Sequence, residues 1–82
     1  MTSISIAPSA LVDPTVTLAD GVRIWHQAQV REFVELGPNV IIGKGAYVGS
    51  GVSIGANSKI QNHALIFEPA FIGRGVFLGP GV

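Results

Sequence analysis

The chain has 82 residues, no cysteine and a formal net charge of zero, with only 12% of its residues charged. These values exclude a disulfide-stapled or thiolate-metal fold, and they exclude a nucleic-acid partner held by a basic surface. A chain this short has a marginal core of its own, and so little charge is expected where surface is hidden in an assembly.

The elements arrive in chain order at a fixed interval. An aliphatic residue occupies every sixth position: Ile6, Val12, Leu18, Ile24, Val30, Leu36, Ile42, Val48, Ile54, Ile60, Ile66, Ile72 and Leu78. Two places before each mark from Val12 onward stands a small or aliphatic residue, from Ala10 through Ser58, Ala64 and Ala70 to Val76. A period of six fits neither an amphipathic helix nor a coiled coil. It fits a solenoid of short strands, in which each repeat buries its apolar face only by stacking on its neighbours. Residues two apart on a strand share a face, so Val22 and Ile24 point inward while Arg23 points out. Three hexads closing a triangular coil make one turn of about 18 residues, so the chain holds about four and a half coils. No linker or composition shift divides residues 1–82, which predicts one all-β domain.

The turns between strands are read in the same order. Asp13-Pro14-Thr15 forms one corner, Gly21 the next and Trp25-His26-Gln27 the third. One coil later these become Arg31-Glu32-Phe33, Asn39 and Gly43-Lys44-Gly45, then Gly49-Ser50-Gly51, Asn57 and Gln61-Asn62-His63, then Phe67-Glu68-Pro69 and Gly75. Gly and Asn accept a left-handed backbone most readily, so the column Gly21, Asn39, Asn57, Gly75 predicts one positive-φ turn per coil. Coils stack about 4.8 Å apart, which puts His26 and Asn62 about 10 Å apart with Lys44 between them. That corner gathers titratable and hydrogen-bonding side chains beside an aromatic.

Acyl transfer to an amine or hydroxyl needs a base for the nucleophile's proton and donors for the developing oxyanion. Histidine suits the first task because it changes charge near neutral pH, and His26 and His63 are the histidines available. The same strip also reads as a solvated ladder of turn side chains. Gly43-Lys44-Gly45 and Gly73-Arg74-Gly75 lack the spacing and following helix of a phosphate loop. The acidic residues show no metal-ligand spacing, so no metal is expected.

The hexads Ile42-Gly43-Lys44-Gly45-Ala46-Tyr47 and Ile54-Gly55-Ala56-Asn57-Ser58-Lys59 resemble those of the hexapeptide-repeat acyltransferases. That resemblance implies a single-stranded left-handed parallel β-helix, a hand that spacing does not give. Arg23-Ile24-Trp25-His26, Lys59-Ile60-Gln61-Asn62, Phe67-Glu68 and Val76-Phe77-Leu78-Gly79-Pro80 resemble the first half of bacterial nucleotide-amino-sugar N-acetyltransferases. The likeness implies acetyl-CoA as cosubstrate and a nucleotide-sugar ligand held in a cleft between the helices of a homotrimer. It implies Asn62 and His63 near the acceptor, with Trp25, His26, Lys44 and Gln61 on the nucleotide sugar. The family carries an asparagine where His63 falls, so His63 is either a new base or a neutral turn variant. Family members have a further asparagine beyond the Gly-Pro motif and a CoA groove along later coils, whereas this sequence stops at Val82. A truncated member is therefore expected.

Aromatics at odd positions, Trp25, Phe33, Tyr47, Phe67, Phe71 and Phe77, are expected to point outward. The most apolar outward column is Leu11, Gln29, Tyr47, Leu65, and with the Phe33 and Phe67 corner it is the expected threefold contact. The terminal rungs leave unpaired backbone groups, so end-to-end stacking is a second mode of assembly, weakened by Pro80. The start, Met1 to Ile6, lacks a basic run before an apolar block and no long apolar stretch follows, which predicts a cytoplasmic protein with no membrane partner. Two functions stay open: acetyl transfer to a nucleotide-linked amino sugar, or a non-catalytic β-helix module that trimerises or assembles end to end.

Overall fold

The computed structural model describes residues 4–67 and 71–79. The expectations for Met1 to Ser3, Glu68, Pro69, Ala70 and Pro80 lie outside these residues. Within them the chain forms two-residue strands six residues apart: β1 (Ser5–Ile6), β2 (Leu11–Val12), β3 (Thr17–Leu18), β4 (Arg23–Ile24), β5 (Gln29–Val30), β6 (Glu35–Leu36), β7 (Ile41–Ile42), β8 (Tyr47–Val48), β9 (Ser53–Ile54), β10 (Lys59–Ile60), β11 (Leu65–Ile66), β12 (Phe71–Ile72) and β13 (Phe77–Leu78). Every third strand pairs in parallel. Sheet A runs β1-β4-β7-β10-β13, sheet B β11-β8-β5-β2 and sheet C β12-β9-β6-β3. The register joins Ser5 to Arg23 and Arg23 to Ile41, so one coil is 18 residues and the three sheets are the sides of a triangular β-helix.

In each strand the second residue points inward. Val22, Ile24, Val30, Leu36, Ile42, Val48, Val52, Ile54 and Ile60 are at most 3% exposed. Each such aliphatic side chain removed from water stabilises the fold by about 1.5–3 kcal/mol, and the next coil supplies the cover. That dependence explains one departure from the sequence reading. Ile6 is 41% exposed although it holds an inward position, because it has a neighbouring coil on one side only. Val12 and Leu18, and Ile72 and Leu78 at the other end, are partly buried for the same reason.

Ser58 is the buried polar side chain among the described residues, at a place where the coils above and below carry Val40 and Val76. Its hydroxyl donates to the Gly73 carbonyl at 2.7 Å and accepts from the Val76 N–H at 3.2 Å. A buried hydroxyl needs partners, and here it ties one coil to the next.

Positive φ appears at all three corners, where the sequence predicted one. The expected column is present, with Gly21 at 79°, Asn39 at 61°, Asn57 at 63° and Gly75 at 68°. Gln27, Gly45 and His63 form a second column, and Phe33 and Gly51 a third. The left-handed residue turns its N–H toward the coil before it. Asn39 reaches the Asp20 carbonyl at 2.9 Å, Asn57 that of Pro38 at 2.8 Å and His63 that of Lys44 at 2.8 Å. The backbone N–H groups of Gln27 and Phe33 reach side-chain acceptors of that coil instead, donating to Ser9 Oγ at 3.0 Å and Thr15 Oγ1 at 2.8 Å. These bonds offset the cost of a left-handed conformation in a residue with a side chain.

The outward aromatics are where the sequence put them. Phe71 is 81% exposed, Phe33 68%, Phe67 66% and Trp25 50%. Tyr47 is half-buried: its ring lies 5.8 Å from that of Phe67, and its hydroxyl accepts from Arg31 Nη1 at 3.4 Å.

Candidate functional site

The turn joining sheets A and B carries the predicted strip. Trp25-His26-Gln27 follows β4, Gly43-Lys44-Gly45 follows β7 and Gln61-Asn62-His63 follows β10. Backbone bonds hold the three turns in step, Gly45 N–H to the His26 carbonyl at 3.0 Å and His63 N–H to the Lys44 carbonyl at 2.8 Å. Side-chain bonds add to them. Asn62 Oδ1 accepts from the Lys44 N–H at 2.9 Å, and Ser9 Oγ lies 3.3 Å from His26 Nδ1.

Two glycines make this stacking close. A Cβ on Gly43 would stand 2.7 Å from the backbone nitrogen of Asn62. A Cβ on Gly45 would stand 2.5 Å from His63 Nδ1, so the imidazole lies in the space that glycine leaves open. His63 thus has a left-handed backbone and a ring laid against the turn below it. It is exposed, as are Trp25, His26, Lys44 and Asn62, while Gln61 is half-buried.

A groove of about 470 Å³ runs along this edge, lined by Trp25, Ile41, Gly43, Lys44, Lys59, Ile60, Gln61 and Asn62. Of the predicted residues, Trp25, Lys44, Gln61 and Asn62 meet in it. His26 does not line it; it belongs with Trp25 to a second groove of about 410 Å³ beside Pro8 and Arg23. His63 lies beyond the end of the lining. Lys59 and Ile41 were missed as site residues, although both fall in the outward column of sheet A that the period defines.

The next corner, between sheets B and C, is a closed polar unit. Arg31 Nε donates to Glu32 Oε1 at 2.8 Å, and the Ser50 hydroxyl donates to the same carboxylate at 3.4 Å. The Arg31 guanidinium holds the Glu32 carboxyl below its ordinary value. Asp13 is also lowered, because Thr15 donates to it from both its hydroxyl, at 2.7 Å, and its N–H, at 2.9 Å. Lys44, Lys59 and Arg23 have no acidic partner at salt-bridge distance among the described residues. No three His, Cys, Asp or Glu side chains among the described residues cluster as metal ligands, and no helix there is long and apolar enough to cross a membrane.

A parallel β-helix of hexads defines a class, and the family profile agrees. The profile of bacterial transferase hexapeptide repeats matches residues 15–50 and 33–68, and the chain belongs to that family, whose fold is the left-handed β-helix. Among solved structures, perosamine N-acetyltransferase from Caulobacter crescentus, determined as a mutant with CoA and GDP-perosamine, is similar at a TM-score of 0.60 and 22% identity. The match covers 99% of this chain and 50% of that one, so this chain spans about half the length of its structural neighbour. A comparison with curated protein sequences gives no match.

Proposed function

We propose that the chain supplies the nucleotide-sugar-binding part of an acetyltransferase, which moves an acetyl group from acetyl-CoA to the amine of a nucleotide-linked amino sugar. The observation that carries this reading is the groove in which an indole, two lysines and a carboxamide meet, Trp25, Lys44, Lys59 and Asn62. A ligand with a flat base and a diphosphate suits that lining. The indole offers a face for stacking, and each ammonium offers a charge and donors for phosphate oxygens.

In the reaction the neutral amine attacks the thioester carbonyl, the carbon–sulfur bond breaks, and the proton leaving nitrogen ends on the departing sulfur or on a base. His63 is the side chain assigned to that proton, and Asn62 to the acceptor. Asn62 Oδ1 is committed to the Lys44 N–H, so what it offers a ligand is its Nδ2 donors. Acetyl-CoA is cosubstrate here.

The working unit in this proposal is a homotrimer. A closed threefold ring pairs two different patches on each copy, pointing about 60° apart around the axis. In a triangular section that is the angle between a side and its adjoining corner. The two apolar patches fit it: Leu11 (67% exposed) and Leu65 (50%) on sheet B, and Phe33 with Phe67 at the corner leading to sheet C.

Calorimetric titration with a nucleotide-linked amino sugar, paired with a CoA-release assay, tests the proposal. Lys44→Ala is expected to weaken binding about tenfold, the loss of roughly one charge-assisted contact. His63→Ala or Asn62→Ala is expected to lower turnover with the fold intact. A chain that binds neither nucleotide sugar nor CoA sinks the enzymatic reading and leaves the assembly module.

A further inference from the structure

We infer that Arg23 and Arg74, which line no part of the Lys44 groove, draw anionic ligands into it, so that sheet A and its two corners act as one collecting face. This rests on the nucleotide-sugar reading above and goes beyond it by giving a role to charges outside the groove.

The formal net charge of zero conceals a segregation that the coil creates. Arg23 and Lys59 stand in the outward column of sheet A, two coils apart with Ile41 between them. Lys44 lies at the corner leading to sheet B, and Arg74 at the corner leading in from sheet C. All four are exposed. Asp20, beside Gly21, is the acid on this side among the described residues. Elsewhere on the section Asp13, Glu32 and Glu35 stand against Arg31, whose guanidinium is already bonded to Glu32. Among the described residues one side therefore carries an excess of three positive charges and the other an excess of two negative ones.

The Lys44 groove opens on the positive side, and no acidic side chain among the described residues lines it. A cleft lined by one sign of charge over a low-dielectric wall raises the local concentration of counter-ions and the rate at which a charged ligand arrives. Range decides which charges take part. Sheet A with its two corners is one hexad of chain, at most about 20 Å wide. The Debye length is about 30 Å at 0.01 M salt and about 8 Å at 0.15 M. Arg23 is paired in register with Ile41 of the groove wall, about 4.8 Å away between backbones, so its charge reaches the groove at both salt levels. Arg74 reaches it across the sheet at the lower level alone. Asp20 opposes both, so its removal has the opposite sign.

Stopped-flow fluorescence tests the inference, because Trp25 is the chain's one tryptophan and lies in the groove wall. The probes are guanosine diphosphate and uridine diphosphate, whose bases quench an indole on stacking. At 0.01 M salt Arg23→Gln and Arg74→Gln are each expected to slow association about two- to threefold with dissociation nearly unchanged, and Asp20→Asn to speed it by a similar factor. At 0.15 M the effect of Arg74→Gln disappears while that of Arg23→Gln remains, and at 1 M all three variants match the native chain. A lost contact slows binding or hastens release, so faster association in Asp20→Asn is the signature of a field. Changes confined to dissociation, association that ignores salt in the native chain, or an Asp20→Asn variant no faster than the native chain overturn the inference and leave the groove as a binding site. No quenching by either diphosphate overturns the nucleotide reading, and this inference with it.

Discussion

Gly43→Ala isolates the force that sets the coil spacing at the candidate site. Gly43 is not in a left-handed conformation, so the added methyl group costs nothing through φ. Its Cβ would lie 2.7 Å from the Asn62 nitrogen, the Asn62 Oδ1 and the Gln61 carbonyl carbon. Ordinary contact requires the upper turn to lift by about 0.7 Å. That turn is held by Gly43 N–H to the Ile60 carbonyl at 2.7 Å, Lys44 N–H to Asn62 Oδ1 at 2.9 Å and His63 N–H to the Lys44 carbonyl at 2.8 Å. Lifting by that amount takes these bonds to the edge of hydrogen-bonding range, at a net loss of about 1 kcal/mol each. The expected destabilisation is about 2–3 kcal/mol, within the usual range for overpacking. Two other glycines calibrate it. Gly51 has φ of 73° and, among the described residues, nothing within 4 Å of a Cβ, so Gly51→Ala should cost the left-handed term, about 1 kcal/mol. Gly73 has neither positive φ nor a neighbour within 4 Å among the described residues, so Gly73→Ala should be neutral or stabilise by about 0.4–1 kcal/mol. Urea titrations followed by far-ultraviolet circular dichroism give the three midpoints. Gly43→Ala falling level with Gly73→Ala would refute the argument that close coil contact at this corner positions Lys44 and Asn62.

Three further outcomes are expected. Phe33→Gly relieves a left-handed backbone at φ 60°, so the melting temperature of the dilute chain should rise by the equivalent of about 1 kcal/mol, while the assembly measured by light scattering weakens because the exposed phenyl ring is lost; a fall in both would count against strain at Phe33. Asn57→Val puts a β-branched residue at φ 63°, and chemical denaturation should show a loss of about 1 kcal/mol or more. Asp13 and Glu32 have lowered folded-state pKa values, so their contribution is present above the unfolded carboxylate value of about 4 and is lost as pH falls through the lower folded values. Melting curves from pH 6 down to about pH 2.5 should therefore show an acid limb that Asp13→Asn makes shallower, since the asparagine no longer accepts the Thr15 bonds as an anion.

The period, the inward columns and the placement of turns are legible in the residues alone. A six-residue interval between aliphatic marks leaves one way to bury them all, so Ile24 above Ile6 and Ile42 above Ile24 follow from spacing alone. The candidate strip was legible for the same reason, because residues 18 apart become neighbours. The left-handed columns were legible only where Gly or Asn marks them. Gly45 and Gly51 carried that signal for the other two corners, but Gln27, Phe33 and His63 concealed it, and it took the backbone to show that each donates its N–H to the preceding coil. Tertiary structure also decided the local partners. Whether Asn62 faces a ligand or ties down Lys44, whether Tyr47 stands free or leans on Phe67, and which groove receives His26 all depend on side-chain directions within one face, which a period cannot encode. Periodicity fixes which residues share a column because stacking repeats it coil after coil. It leaves open what each column member touches, because those contacts of a few ångströms are made once and differ from coil to coil.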